Sequence, residues 1–134
     1  MKIIPNNITL EKVKKSNYWE LIAILIWGHY NEPKFQDENA IIISEKWYGK
    51  HKEGNGSYHT SDWNNPDFKV DDYIRTLYAI MITFTRKDYI SHIYINVETG
   101  NVYAISSLKG ISFSTPNVDI TNWMLENNLL KVDV

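Results

Sequence analysis

Apolar and polar side chains alternate along residues 72–107, in three strand-like runs that are separated by two short turns. In the first run Ile80, Ile82 and Phe84 fall on one face, whereas Met81 and Thr83 fall on the other. Successive side chains of a strand point to opposite faces of a sheet, so this alternation predicts strands. The pattern predicts an antiparallel β-meander over about residues 73–106.

The turns between the runs predict how the strands pair. Residues 86–88 form the first turn, which would place Thr85 opposite Ile90. Gly100 tolerates a positive φ angle, so residues 98–101 predict a hairpin loop. That loop would pair Val97 with Val102, Ile95 with Ala104 and Asn96 with Tyr103.

With both turns in place, the two faces agree across all three strands. A slip of one residue would send every side chain to the opposite face, so the agreement supports the pairing. The face predicted to be buried consists of Tyr78, Ile80, Ile82, Phe84, Ile93, Ile95, Val97, Val102 and Ala104. The opposite face is aromatic with polar tips and consists of Arg75, Leu77, Met81, Thr83, His92, Tyr94, Asn96, Tyr103 and Ile105.

The N-terminal part of the chain predicts two helices. Residues 18–30 are apolar nearly all round, which indicates a helix buried on every side, and the run is longer than a typical strand. Residues 38–48 predict a second helix with Asp37 as its cap and Gly49 as its stop. Three consecutive isoleucines at 41–43 favour a strand there instead.

Short runs complete an α+β domain that takes in residues 1–134. Extra strands are predicted near residues 2–4, 111–114 and 130–134, and Thr9 or Ser16 is expected to cap a helix near the start. A C-terminal helix is expected to begin at Asp119 or Thr121. The predicted architecture is therefore the meander packed against two N-terminal helices and one C-terminal helix.

Composition excludes several classes of function. The net charge of -2 and the pI of about 6.1 argue against a partner that is nucleic acid or an anionic membrane. There is no cysteine, which suits a reducing cytoplasm and leaves no thiolate for a metal site or nucleophile. The first residues lack a signal-peptide pattern, and the abundance of Ile, Asn and Lys suggests a bacterial or phage source.

The long polar stretch at residues 49–71 is the first candidate for function. Tyr58 and Trp63, with Tyr48 as a further member, would form an aromatic contact patch, because large rigid aromatic side chains dominate binding hot spots. His59 is a further candidate contact residue. In the alternative interpretation, Tyr58, Trp63 and Phe68 hold this stretch against the body of the domain. Arg75 could anchor an anionic partner. If the loop is exposed, replacing both Tyr58 and Trp63 with alanine should abolish binding and leave stability nearly unchanged.

Four side chains of this stretch could in principle bind a metal, namely His51, Glu53, His59 and Asp62. Their spacing matches no established ligand motif, and solvated loop histidines are the commoner case. We therefore expect no metal, no cofactor and no catalytic residue here, and we favour a protein that is not an enzyme.

The second candidate is the mixed face of the meander, which could mask a partner protein in place of the loop. His92, Tyr94 and Tyr103 would line a pocket for a nucleotide or another small anion, with Arg75 as its charged group. The alternative for His92 is a half-buried, hydrogen-bonded histidine under a covering helix, and the same aromatic surface could instead form a homodimer.

In the order of its elements, and in its Val97-Glu98-Thr99-Gly100-Asn101-Val102 hairpin, the chain resembles small cystatin-like and NTF2-like α+β domains. The resemblance implies a helix lying across a curved sheet, and it transfers no functional residue. Taken together, the sequence predicts a small binding or inhibitor protein of the immunity-like or phage anti-defence-like kind, with a protein or a small anion as its partner.

Overall fold

The computed structural model describes residues 2–27, 41–58, 61–86, 89–106, 110–114 and 117–133. The predicted α+β class is confirmed, and strands make up most of the ordered structure. The helices are α1 (Leu10–Lys15), α2 (Tyr18–Ile22) and α3 (Val118–Glu126). The strands are β1 (Lys2–Pro5), β2 (Ile41–His51), β3 (Ser57–Tyr58), β4 (Tyr73–Arg86), β5 (Tyr89–Asn96), β6 (Val102–Ser106), β7 (Gly110–Ser114) and β8 (Leu130–Asp133).

The large sheet has the strand order β3-β2-β4-β5-β6-β7, and all its neighbours are antiparallel. The predicted meander is therefore present as β4, β5 and β6, and the strand predicted near residues 111–114 joins it as β7. The predicted C-terminal strand also forms, but it pairs with β1 in a separate two-stranded sheet, where Ile3 lies opposite Val132.

The first predicted hairpin is confirmed and the second is shifted. Thr85 pairs with Ile90 as expected, whereas Ile95 lies opposite Val102 and not Ala104. The physical reason is Asn96, whose side-chain oxygen accepts hydrogen bonds from the backbone N–H groups of residues 98 and 99 at 2.9 and 3.0 Å. These bonds close the loop earlier than predicted, and a shift of two residues keeps every side chain on its predicted face.

One face of the sheet, the core face, carries the hydrophobic core. Ile80, Ile82 and Phe84 of β4 and Ile93 and Ile95 of β5 are completely buried, as the alternation predicted. Helices α1, α2 and α3 pack on this face through Val13, Leu21, Ile22, Ile120, Trp123 and Met124.

The helices begin where polar side chains can satisfy free backbone N–H groups. Thr9 caps α1 as one of the two predicted caps, whereas Asn117, and not Asp119 or Thr121, caps α3 by accepting from Ile120 N at 3.0 Å. Helix α2 continues as a π-helical turn over Ala23–Trp27, which confirms the helical prediction for that part of residues 18–30. Within the described residues, no helix has the length and apolar character needed to cross a membrane.

The predicted second helix is wrong for residues 41–48, which belong to the long strand β2. Its β-branched residues favour an extended chain, and β2 pairs with β4 along its whole length. Gly49 continues the strand and does not terminate a helix. Asp37 and the first residues of the predicted helix lie outside the described part of the chain.

A β-bulge in β4 changes which side chains share a face. Lys46 pairs with Ala79, but its neighbour Trp47 pairs with Leu77, so Tyr78 is an extra residue in β4. The bulge therefore sends Arg75 and Leu77 to the core face and Tyr78 to the opposite face. The faces predicted for these residues are wrong, because strict alternation cannot reveal an inserted residue.

Candidate functional site

The face of the sheet opposite the helices, here called the open face, has no described helix packed against it. Its side chains lie in lateral rows that follow the strand pairing. One row runs from Ile42 through Thr83 and His92 to Ile105, and the next runs from Ser44 through Met81 and Tyr94 to Tyr103.

Four tyrosines give the open face its aromatic character. The rings of Tyr94 and Tyr103 stack with centroids 4.8 Å apart and planes only 12° from parallel. The rings of Tyr48 and Tyr78 meet edge to face at 5.7 Å. The Tyr48 hydroxyl donates to a carboxylate oxygen of Glu98 at 3.3 Å. The face therefore combines flat apolar surface with hydroxyl groups that can donate and accept hydrogen bonds.

His92 lies within this aromatic surface as a hydrogen-bonded histidine. Its Nδ1 is 3.1 Å from the hydroxyl oxygen of Thr83, and its ring centroid is 6.4 Å from that of Tyr94. The side chain is half-buried. The structure thus brings together His92, Tyr94 and Tyr103 as predicted, and His92 is half-buried and hydrogen-bonded, although no described helix covers it.

Exposed isoleucines extend the open face beyond the tyrosines. Ile42 is 63% exposed, Ile90 is 46% exposed and Ile105 is 39% exposed. Sequence reasoning missed Ile42 because it was assigned to a helix. Its signal was the run of three isoleucines, which is typical of a strand.

The pKa values of Tyr48, Tyr78 and Tyr103 on the open face are raised. Burial raises the pKa of Tyr78 and of Tyr103, and the proximity of Tyr94 raises both further. Burial also raises the pKa of Tyr48, and the negative charge of Glu98 adds to this effect. These hydroxyls consequently keep their protons throughout the physiological pH range, where they act as neutral hydrogen-bonding groups.

We expect the folded protein to lose stability as the pH rises above 10.0, the ordinary pKa of tyrosine. Above that value the unfolded chain releases tyrosine protons that the folded chain retains. The unfolded state then binds fewer protons, so stability decreases with pH. Urea unfolding at a series of pH values should show a smaller alkaline loss for a Tyr78→Phe/Tyr103→Phe variant than for the wild type. Equal losses in both proteins would contradict the assignment.

Residues 61–73 fold against the core face as an aromatic cluster built around Trp63. Trp63 is only 1% exposed, and its ring lies 5.0 Å from that of Phe68, 6.2 Å from that of Tyr58 and 6.3 Å from that of Tyr73. The prediction of an exposed contact at Trp63 is therefore wrong. Tyr58 remains 46% exposed, and His59 lies outside the described residues.

Arg75 belongs to the aromatic cluster and not to the open face. Its Nε donates to the backbone carbonyl of Trp63 at 2.8 Å, and its guanidinium carbon lies 3.7 Å from the ring centroid of Trp47. Arg75 therefore cannot complete a pocket with His92, Tyr94 and Tyr103, because the sheet separates them.

No protein-family model, no curated protein and no solved structure matches this chain. The predicted likeness to cystatin-like and NTF2-like domains depended on a second helix before the meander, and that segment is the strand β2. The indications of function therefore lie in the chain's own surfaces.

His51, the histidine of the long polar stretch that the structure describes, forms no metal-binding group with neighbouring carboxylates among the described residues. His51 Nδ1 accepts from the backbone N–H of Glu53 at 3.2 Å, and its ring packs edge to face on Tyr73 at 5.2 Å. No group of three or more potential metal ligands is found among the described residues. The role of His51 there is to order the β2–β3 turn.

Proposed function

We propose that the protein is a non-catalytic binding module whose open face covers a surface of a protein partner. The observation that carries the proposal is the exposure of isoleucine beside stacked tyrosines on that face. In an antiparallel sheet the solvated face normally carries polar side chains. Apolar patches bordered by polar residues are typical of interaction surfaces on soluble proteins.

The chemistry of the open face favours a protein over other partners. Tyrosine buries a large rigid area with little loss of conformational entropy, and it is enriched at protein interfaces. Lys46 and Lys50, on the open-face side of β2, supply a basic border and favour a partner surface with carboxylates. The net charge of -2 provides no general attraction for nucleic acid.

The size of the patch fits the centre of such an interface. Four strands about 4.8 Å apart and six residues of about 3.3 Å each span roughly 14 by 20 Å. That is smaller than the ~800 Å² per partner of a standard complex, and it corresponds to the hot-spot region inside one. We infer an inhibitor role in which the module masks a functional surface, as immunity or anti-defence proteins do in the bacterial cytoplasm.

Site-specific photo-crosslinking tests the proposal. A photoreactive residue at position 42 should capture one protein from its host, and the same residue at position 131, in the small sheet, should not. The captured protein is then purified and titrated. We expect Tyr103→Ala to weaken binding by about 10- to 100-fold, as hot-spot tyrosines do.

The matched control is Tyr58→Ala, which removes an exposed tyrosine outside the open face. It should leave the affinity unchanged. Equal loss in both variants, or crosslinking that does not depend on position, would overturn the proposal. Light scattering separates the homodimer alternative, since a dimer that Ile42→Asp dissociates would make the partner a second copy of this chain.

A further inference from the structure

A cavity of about 240 Å³ lies on the other side of the molecule, between the β2–β3 turn and the chain that enters β4. Its apolar wall is formed by Trp63, Phe68 and Tyr73. Lys52, Lys69, Arg75 and Asp71 complete most of the lining, so three cations face one carboxylate. Apolar walls with a few converging polar groups are typical of sites for small molecules.

Arg75 is fixed in this cavity wall by two contacts. Its Nε donates to the Trp63 carbonyl, and the flat guanidinium lies over the ring of Trp47. Among the described residues, Arg75 makes these two contacts and no further hydrogen bond or ring contact. A guanidinium carries five N–H donors, so the terminal nitrogens keep the paired donors that match a carboxylate or a phosphate.

Trp63, which lines the cavity, is almost completely buried. Its indole Nε1 is buried and has no hydrogen-bond acceptor among the described residues. Buried N–H groups without an acceptor are rare in folded proteins. Because this nitrogen has almost no accessible surface, it reports on the packing of the cavity wall and does not itself contact a ligand.

We propose that this cavity binds a small aromatic anion whose carboxylate or phosphate pairs with Arg75 and is attracted by Lys52 and Lys69. The aromatic wall would hold the ring. The volume lies below the ~300–1,000 Å³ of sites for drug-sized ligands, so a single ring with one anionic group is the class that fits. This site is separate from the open face and does not depend on its proposed role.

The test uses four probes on the full chain: benzoate, phenyl phosphate, inorganic phosphate and neutral benzamide. NMR follows the indole N–H resonance of Trp63, which is assigned by its loss in Trp63→Phe. We expect a saturable shift with benzoate or phenyl phosphate and a rise in Tm of a few degrees at about ten times Kd. Whichever of benzoate and phenyl phosphate binds more tightly identifies the anionic group that the site prefers.

Three variants measure the charged contacts. Arg75→Lys keeps the charge but removes the paired donors, and it should weaken binding about tenfold or more. Lys52→Ala and Lys69→Ala change exposed side chains and should each weaken it by about two- to fivefold. Lys131→Ala removes an exposed lysine from β8 of the small sheet, which does not line the cavity, and should leave binding of these probes unchanged.

Two outcomes of the probe titrations would overturn the site. One is the absence of a saturable shift with all the aromatic anions. The other is binding of benzamide or inorganic phosphate as tight as that of the aromatic anions, since ring and charge must both contribute. Lys52 and Lys69 are exposed, so replacing both with alanine should not disturb the fold. If this double variant keeps full affinity, the two lysines do not contribute to binding and the cationic wall is rejected.

Discussion

Replacing Trp63 with alanine is expected to lower the free energy of unfolding by about 3–5 kcal/mol. The indole is 1% exposed and packs against the rings of Phe68, Tyr58 and Tyr73, so its removal leaves a cavity that these side chains cannot fill. For a chain of this size the loss corresponds to a fall in Tm of roughly 10–20 °C. Urea unfolding followed by circular dichroism measures it.

Two further variants show whether packing is the cause. Trp63→Phe retains an aromatic ring and removes the buried indole N–H, which has no acceptor among the described residues. It should therefore lower the free energy of unfolding much less than Trp63→Ala does. Tyr58→Ala should change stability by about 1 kcal/mol or less, because the side chain is 46% exposed. If Trp63→Ala were as stable as Tyr58→Ala, residues 61–73 would not be packed as described.

The contrast between Tyr58 and Trp63 shows where sequence reasoning ends. Both are aromatic residues in a polar stretch, and local composition leaves open for each whether it anchors the loop on the body or lies exposed as a contact. Burial of Trp63 depends on contacts with distant strands that no local pattern encodes. Asn64, a polar neighbour that suggested exposure, accepts a hydrogen bond from Trp47 N at 3.1 Å beside the bulge and so helps to fix the loop.

The meander was predictable because its alternation is redundant. Ile80, Ile82, Ile93 and Ile95 specify the same buried face independently, so an error of two residues at the second hairpin left the faces correct. The bulge at Tyr78 had no such redundancy. Its single extra residue exchanged the faces of Arg75 and Tyr78, and it thereby divided one predicted site into the open face and the aromatic cluster.

The sequence predicted the part of the open face that β5 and β6 contribute, but not the part that β2 contributes. Tyr94, Tyr103 and His92 were placed together because they follow the alternation of β5 and β6. The strand β2, which adds Ile42 and Tyr48 to that face, was missed because helix and strand patterns compete in its sequence. What decided the outcome was pairing with β4, which is a tertiary interaction.

Gly49→Ala provides the second large effect and tests the same packing from the strand side. A Cβ at position 49 would overlap the indole of Trp63, with ring atom Cε2 only 2.6 Å away. The ring is buried, so the backbone of β2 must move to make room. We expect the free energy of unfolding to fall by about 3 kcal/mol, which is at the upper end of the range for an overpacked site. The neighbouring exposed variant Lys50→Ala should lose less than about 0.5 kcal/mol.

The double variant Gly49→Ala/Trp63→Ala separates a clash from a change in backbone propensity. With the indole gone, the added methyl group occupies part of the space that it leaves. The double variant should therefore be no less stable than Trp63→Ala alone, which gives a coupling energy of roughly 2–3 kcal/mol. Strictly additive losses would mean that Gly49 is required for its backbone conformation. Coupling of this size would instead establish that a glycine in a central strand exists to admit a tryptophan from a distant loop.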